Sequence, residues 1–168
     1  MRLSLLCAAA LIAGTGVAQA QAPSATTAFT GKMAPYSSLI GTTWNCKTTM
    51  TGMPAGMPST ANGTVTFDAV DPGTMHVHVA AARFASDSYF GYAATPGIFW
   101  STSADSMGGT SSERSSDGKS YAGAGMMGGA AAQVTDTYNM MSATHTTVHS
   151  TMMVSGHQQT SDSDCTKT

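Results

Sequence analysis

Charged residues are scarce in this chain, and basic ones are the scarcer of the two kinds. Lysine and arginine together number seven, against nine acidic residues, and only 10% of the residues carry a charge. The basic side chains are scattered and form no cluster, whereas nucleic-acid binding depends on clustered Lys and Arg. The composition therefore argues against nucleic acid as a partner, and it gives no indication of a protein partner.

Catalytic motifs are also missing. The chain contains no Gly-x-Ser-x-Gly turn, no phosphate-binding loop and no Cys-x-x-Cys pair, the patterns that mark several common reaction classes. Glu113 is its single glutamate and the aspartates are scattered, so no local carboxylate pair supports acid–base chemistry. We therefore expect that the protein is not an enzyme.

Apolar runs are short, and the longest stands at the N-terminus. Arg2 precedes an apolar segment from Leu3 to Ala13, and Ala18-Gln19-Ala20 follows, which is typical of a removable signal peptide. The segment is shorter than the roughly 20 residues that a membrane-spanning helix needs. We predict a signal peptide over residues 1–20, a periplasmic or extracellular location, and no membrane span in the mature chain.

Cysteine is almost absent as well. Cys7 is removed with the signal peptide, which leaves Cys46 and Cys165. Two cysteines in an oxidising compartment most often form a disulfide, and closing so long a loop stabilises a fold by about 4 to 5 kcal/mol in the loop-entropy model. The alternative is a pair of metal-binding thiolates, although neither cysteine has a neighbouring Cys or His at ligand spacing.

Helix signals are nearly absent, and period-two alternation replaces them. Residues 21–37 lack apolar periodicity and suit a flexible leader. From residue 38 onward about ten short alternating runs follow, the first from Leu39 to about Met50, separated by turn signals such as Asp117-Gly118. After a run that ends near Gly125, the glycine-rich stretch up to Gly129 is expected to be flexible or bulged. The pattern predicts one all-β domain over residues 38–168.

The two cysteines favour one arrangement of these strands. In a closed antiparallel barrel the first and last strands are neighbours, so no edge remains exposed. Cys46 falls in the first run and Cys165 in the last, and a barrel brings them together without special routing. A β-sandwich could also do so but does not require it. We therefore predict an antiparallel up-and-down barrel of about 8–10 strands.

Two segments resemble known barrel proteins. The first, Leu39–Cys46, contains a Gly and a Trp and resembles the opening of lipocalin-like barrels, where such residues plug one end. The second combines Tyr89–Tyr92 with Phe99–Asp105 and the later Gly108-Gly109 and Asp117–Lys119 turns. It is similar to the central hairpin of uncharacterised secreted bacterial proteins with a lipocalin-like β-barrel. The resemblance implies a lipocalin-like fold for residues 39–167.

A barrel of this size has room for core side chains or one small ligand. We therefore expect a small apolar or amphipathic ligand in its interior, and no cofactor. The candidate floor and wall residues are aromatic: Trp44, Tyr89, Tyr92, Phe99 and Trp100. The alternative is that these side chains simply fill the core, in which case the protein could be a ligand-free structural component of the cell envelope.

Methionine and histidine suggest a second function. After the signal peptide the chain keeps twelve of its 13 methionines and all five histidines, and thioether and imidazole groups suit copper, especially copper(I). A soft-metal site for copper or silver would use Met53, Met57, His76 and His78. The alternative is that methionine replaces leucine as a flexible core filler and that the histidines face solvent.

Overall fold

The computed structural model describes residues 29–53 and 59–168. The predicted signal peptide, residues 21–28 of the predicted leader and Met57 lie outside these ranges. A 3-10 helix, Gly31–Leu39, is followed by ten strands. The strands are β1 (Thr43–Thr51), β2 (Thr60–Asp71), β3 (Thr74–Ala81), β4 (Phe84–Ala93), β5 (Ile98–Asp105), β6 (Thr110–Ser115), β7 (Ser120–Met127), β8 (Ala130–Ser142), β9 (His145–Val154) and β10 (His157–Lys167).

The ten strands form a closed up-and-down barrel. Each strand pairs antiparallel with the next one in the chain, and β1 also pairs with β10. In that closing pair Cys46 stands directly opposite Cys165, and the two are joined by a disulfide. The all-β barrel and the disulfide are therefore confirmed. An oxidising compartment favours such a bond.

Alternation along the strands separates an interior from an outer wall. On β1 the side chains of Trp44 and Cys46 are buried, whereas Asn45 and Lys47 are exposed. Successive side chains of a strand point to opposite faces, so each strand contributes every second residue to the interior. The register between strands then fixes which interior side chains are neighbours.

The 3-10 helix covers one end of the barrel, called here the closed end. Phe29 and Met33 are only 3% and 2% exposed and belong to the same core cluster as Leu39 and Trp44. The amide of Thr30 donates a hydrogen bond to the carbonyl of Pro72, which lies in the turn after β2. Residues 29–37, expected to belong to a flexible leader, are instead packed against the barrel.

The predicted first strand begins too early for a related reason. Leu39 is the last residue of the 3-10 helix, and β1 starts at Thr43, because the buried Leu39 is part of the cover over the closed end. The helix has nine residues. Within residues 29–53 and 59–168, no helix is long and apolar enough to cross a membrane.

The glycine-rich segment 123–132 forms a regular hairpin and is neither irregular nor bulged. Gly123 pairs with Val134, and Gly125 pairs with Ala132. The turn between β7 and β8 uses Gly128 and Gly129, whose φ angles are 55° and 81°, a conformation that glycine adopts without steric cost. The turn lies at the end of the barrel opposite the helix, called here the distal end.

Candidate functional site

Three of the five predicted aromatic residues lie in the interior, at the closed end. Trp44 is 1% exposed, packs edge-on against Phe67 at 6.4 Å between ring centroids, and donates its indole N–H to the hydroxyl of Thr42 at 2.8 Å. Tyr92 and Phe99 contact each other with centroids 5.0 Å apart. These rings pack closely with the helix, so they seal the closed end.

Tyr89 and Trp100 lie on the outer wall, contrary to the expectation that they line the interior. Trp100 lies directly over the backbone of its cross-strand partner Gly91, where a Cβ atom would approach the indole to 2.5 Å. Tyr89 stacks on His76 at 5.0 Å between ring centroids. The five aromatic residues therefore do not form one pocket.

Of the predicted metal ligands that the structure describes, His76 and His78 lie together, and Met53 lies apart from them. His76 and His78 share the outer face of β3, and both bond through a ring nitrogen to the same oxygen of Asp87, at 2.9 and 2.8 Å. Met53 follows the distal end of β1, whereas His76 pairs with Asp68 near the closed end of β2. Hydrogen bonds from His78 and His76 hold the pKa of Asp87 below its usual value.

An acid pair in the interior was not predicted. Glu113 on β6 is 3% exposed, and its carboxyl group lies beside that of Asp136 on β8. The strand between them contributes Gly123 opposite Glu113, and a Cβ atom there would collide with the backbone of Ser112 and Glu113. Gly123 therefore allows β6 and β7 to approach closely, and Glu113 and Asp136 meet across this glycine.

Hydrogen bonds hold one oxygen of each carboxyl group. The hydroxyl of Ser111 donates to Glu113 Oε1 at 2.6 Å, and the Tyr138 hydroxyl donates to Asp136 Oδ2 at 3.4 Å. The other two oxygens, Glu113 Oε2 and Asp136 Oδ1, are buried and have no protein hydrogen-bond donor. Buried polar atoms are rarely left without a partner, so these two atoms mark an unusual site.

The environment of the pair favours a shared proton. Burial, followed by the neighbouring charge of Asp136, raises the pKa of Glu113 to about 7. Ionisation of both adjacent carboxyl groups is unfavourable because the two negative charges repel each other. One proton between Oε2 and Oδ1 would satisfy both atoms. Burial also raises the pKa values of Tyr121 on β7 and Tyr138 on β8, so both phenols stay protonated. From β5 the neighbouring interior side chain is the uncharged Ser101.

Between the acid pair and the distal end, the interior has two different sides. One side carries hydroxyls: Ser88, Ser103 and Ser111 stand opposite one another across β4, β5 and β6, and the last two are hydrogen-bonded at 2.8 Å. All three are half-buried. Of the other strands, β10 contributes the polar Gln159 and Ser161 next to Met152 and Ser150, whereas β8 and β9 contribute an apolar part that consists of two cross-strand pairs. They are Val134 with Met152 and Ala132 with Val154.

The described chain also has two open grooves on its outer wall. One is an open groove that includes Asn45, Thr64 and Ala80, all on outward-facing positions of β1, β2 and β3. The second is an open groove on β7, β8 and β9 that includes Ala122, Gln133 and Met153. Neither contains the predicted aromatic residues or the acid pair.

No protein-family model matches this chain, and no curated protein sequence matches it. Among solved structures, the chain is similar to the ywiB protein from Bacillus subtilis, with 10% sequence identity and a TM-score of 0.27. The similarity covers 76% of this chain and 91% of the ywiB chain.

Proposed function

We propose that this protein, exported to the periplasm or the cell exterior, binds one small amphipathic ligand in the distal half of the barrel interior. The observation that carries the proposal is the lining of that half, which is rich in hydroxyls on β4 to β6 and apolar on β8 and β9. Hydroxyls of Ser88, Ser103 and Ser111 face the polar part of the ligand, and Val134 and Met152 face its apolar part. Binding pockets typically combine apolar walls with a few placed polar groups.

A binding role fits the surroundings of the acid pair better than a catalytic one. Acid–base catalysis usually employs a positioned partner, most often histidine. Four histidines bond to aspartates of the outer wall, and His157 is exposed at the start of β10. No histidine of the described chain therefore lies beside Glu113, and we propose that the protein is not an enzyme.

The experiment is native mass spectrometry of the protein purified from its own host, compared with two matched leucine variants. Ser103→Leu places a larger apolar side chain in the distal half of the interior, whereas Thr102→Leu places the same side chain on the outer wall. We expect a small-molecule adduct on the wild type and on Thr102→Leu, and its loss from Ser103→Leu. The mature mass should correspond to a chain that begins at Gln21.

Two results would contradict the proposal. An adduct of equal abundance on all three proteins would place the ligand outside the distal half. A wild-type spectrum without an adduct, from protein that was never denatured, would favour a ligand-free structural role. Thermal melting of both variants separates loss of binding from loss of folding.

Soft-metal binding is a second candidate, which the His76 and His78 pair favours. Their ring nitrogens converge on one oxygen of Asp87, and imidazole suits copper. Titration with copper(I) or silver(I), followed by the NMR shifts of histidine and methionine side chains, tests it. Shifts at His76 and His78 that disappear in His78→Ala would support the site, and unchanged spectra at one equivalent of metal would remove it.

A further inference from the structure

The interior of the barrel carries acidic groups without a basic counterpart. All six lysines and arginines within the described ranges are exposed, and the described histidines lie on the outer wall or at the rim. A buried charge is strongly unfavourable unless it is paired or neutralised. The charge of the Glu113 and Asp136 pair must therefore be balanced by something that the barrel interior takes up.

The unpartnered oxygens indicate what could balance this charge. Glu113 is more than nine-tenths buried, and its Oε2, like Asp136 Oδ1, has no protein donor. One shared proton would satisfy the two atoms. A protonated amine would satisfy them as well, because an ammonium group offers up to three N–H donors and brings a full positive charge.

We propose that Glu113 and Asp136 bind the protonated amine of an amphipathic ligand held in the distal half of the barrel. This inference rests on the proposed function and names the chemical class of its ligand. A metal ion fits less well, because the described residues contain no group of three or more His, Cys, Asp or Glu side chains arranged to hold one.

An aromatic cluster next to the pair supports a cationic group. Phe90, Tyr121 and Tyr138 contact one another edge to face, with ring centroids 5.6 to 5.9 Å apart. Tyr121 pairs directly with Asp136 in the register of β7 and β8, so the cluster lies on the closed side of the pair. Aromatic rings attract cations placed near their faces, and they offer no competing positive charge.

The chemical class is tested by isothermal titration calorimetry with three probes of equal chain length: n-octylammonium, n-octanol and octanoate. We expect octylammonium to bind about 10- to 100-fold more tightly than octanol at pH 7, the range for a hydrogen bond to a charged group. Octanoate should bind most weakly, because its carboxylate would be repelled by the acid pair.

Variants locate the effect. Glu113→Gln and Asp136→Asn should each weaken octylammonium binding by at least about tenfold while leaving octanol binding nearly unchanged. Asp68→Asn removes an exposed carboxylate of the outer wall and should change neither affinity. If Asp136→Asn fails to fold, Glu113→Gln alone is sufficient for the test. This variant should fold, because its amide can donate a hydrogen bond to Asp136.

The outcomes separate this inference from the proposed function. Equal binding of octylammonium and octanol, with both lost in Ser103→Leu, would leave the proposed function standing and overturn amine recognition. If Glu113→Gln and Asp136→Asn still bind octylammonium more tightly than octanol, the amine binds elsewhere, and amine recognition by the acid pair is overturned as well. No binding of octylammonium would mean that the pair holds only a proton. Identification of a native ligand without a basic nitrogen would lead to the same conclusion, that the acid pair binds a proton and no amine.

Discussion

Replacing Glu113 by glutamine should change how the stability of the barrel depends on pH. In the wild type, the buried carboxyl group of Glu113 lies beside Asp136 and holds a proton that is lost as the pH rises. The glutamine amide is nearly the same size as the carboxyl group and can donate to Asp136 at every pH. The variant therefore keeps the hydrogen bond without the titration.

The size of the effect follows from the pKa of Glu113. Burial and the neighbouring Asp136 raise it from 4.5 to about 7, so between these two pH values the folded state holds a proton that the unfolded chain has released. Stability must then decrease as the pH rises through this window. Each pKa unit corresponds to about 1.4 kcal/mol, which gives a loss of about 3 kcal/mol from pH 4.5 to above pH 7.

Urea unfolding at a series of pH values from 4.5 to 8 measures this loss, with the fluorescence of the buried Trp44 as a probe. We expect the two proteins to have similar free energies of unfolding near pH 4.5, and Glu113→Gln to be more stable by about 3 kcal/mol at pH 8. The outer-wall variant Asp68→Asn should follow the wild-type curve. Parallel curves for the wild type and Glu113→Gln would refute a proton-sharing pair.

Three further substitutions test the architecture by urea unfolding. Replacing both Cys46 and Cys165 by serine should lower the free energy of unfolding by about 4 to 5 kcal/mol, because the bridge closes a loop with a sequence separation of 119 residues; an unchanged urea midpoint would contradict this. Gly123→Ala should destabilise by about 1 to 3 kcal/mol through the collision with the β6 backbone, and a neutral result would refute close packing there. Trp44→Ala should lower the free energy of unfolding by about 3 to 5 kcal/mol, and Trp100→Ala should lower it clearly less. Equal decreases would contradict the assignment of the two side chains to opposite faces of the sheet.

The sequence was sufficient to predict the strands and the closure of the barrel. Alternation and turn residues located ten strands, and the positions of the two cysteines indicated which strands meet. The cover over the closed end could not be predicted in the same way. Phe29, Met33 and Leu39 are spaced by four and six residues, and a 3-10 helix this short lacks the repeated apolar face by which longer helices are recognised.

For the predicted aromatic site, the sequence alone was enough to show that the five residues cannot all face the interior. Phe99 and Trp100 are adjacent, and Tyr89 and Tyr92 are three positions apart, so strand alternation prevents the two members of either pair from both facing the interior. The acid pair had no such signal. Glu113 is flanked by Ser112 and Arg114 in a run of polar residues, and hydrophobic alternation therefore could not show which face of the strand it occupies.

The main stabilising interactions and the proposed ligand site lie in different halves of this barrel. The closed half contains the aromatic core, the helix cover and the disulfide, with Cys46 two residues from Trp44. These interactions offset the unfavourable burial of Glu113, whose deprotonation weakens the fold. The distal half then need not be filled with apolar side chains, and it can present hydroxyls on one side and Val134 and Met152 on the other. The acid pair lies at the boundary of the two halves and has no basic partner. The proposed cationic ligand would gain the most binding free energy there, because its binding neutralises a charge that the folded chain leaves unpaired.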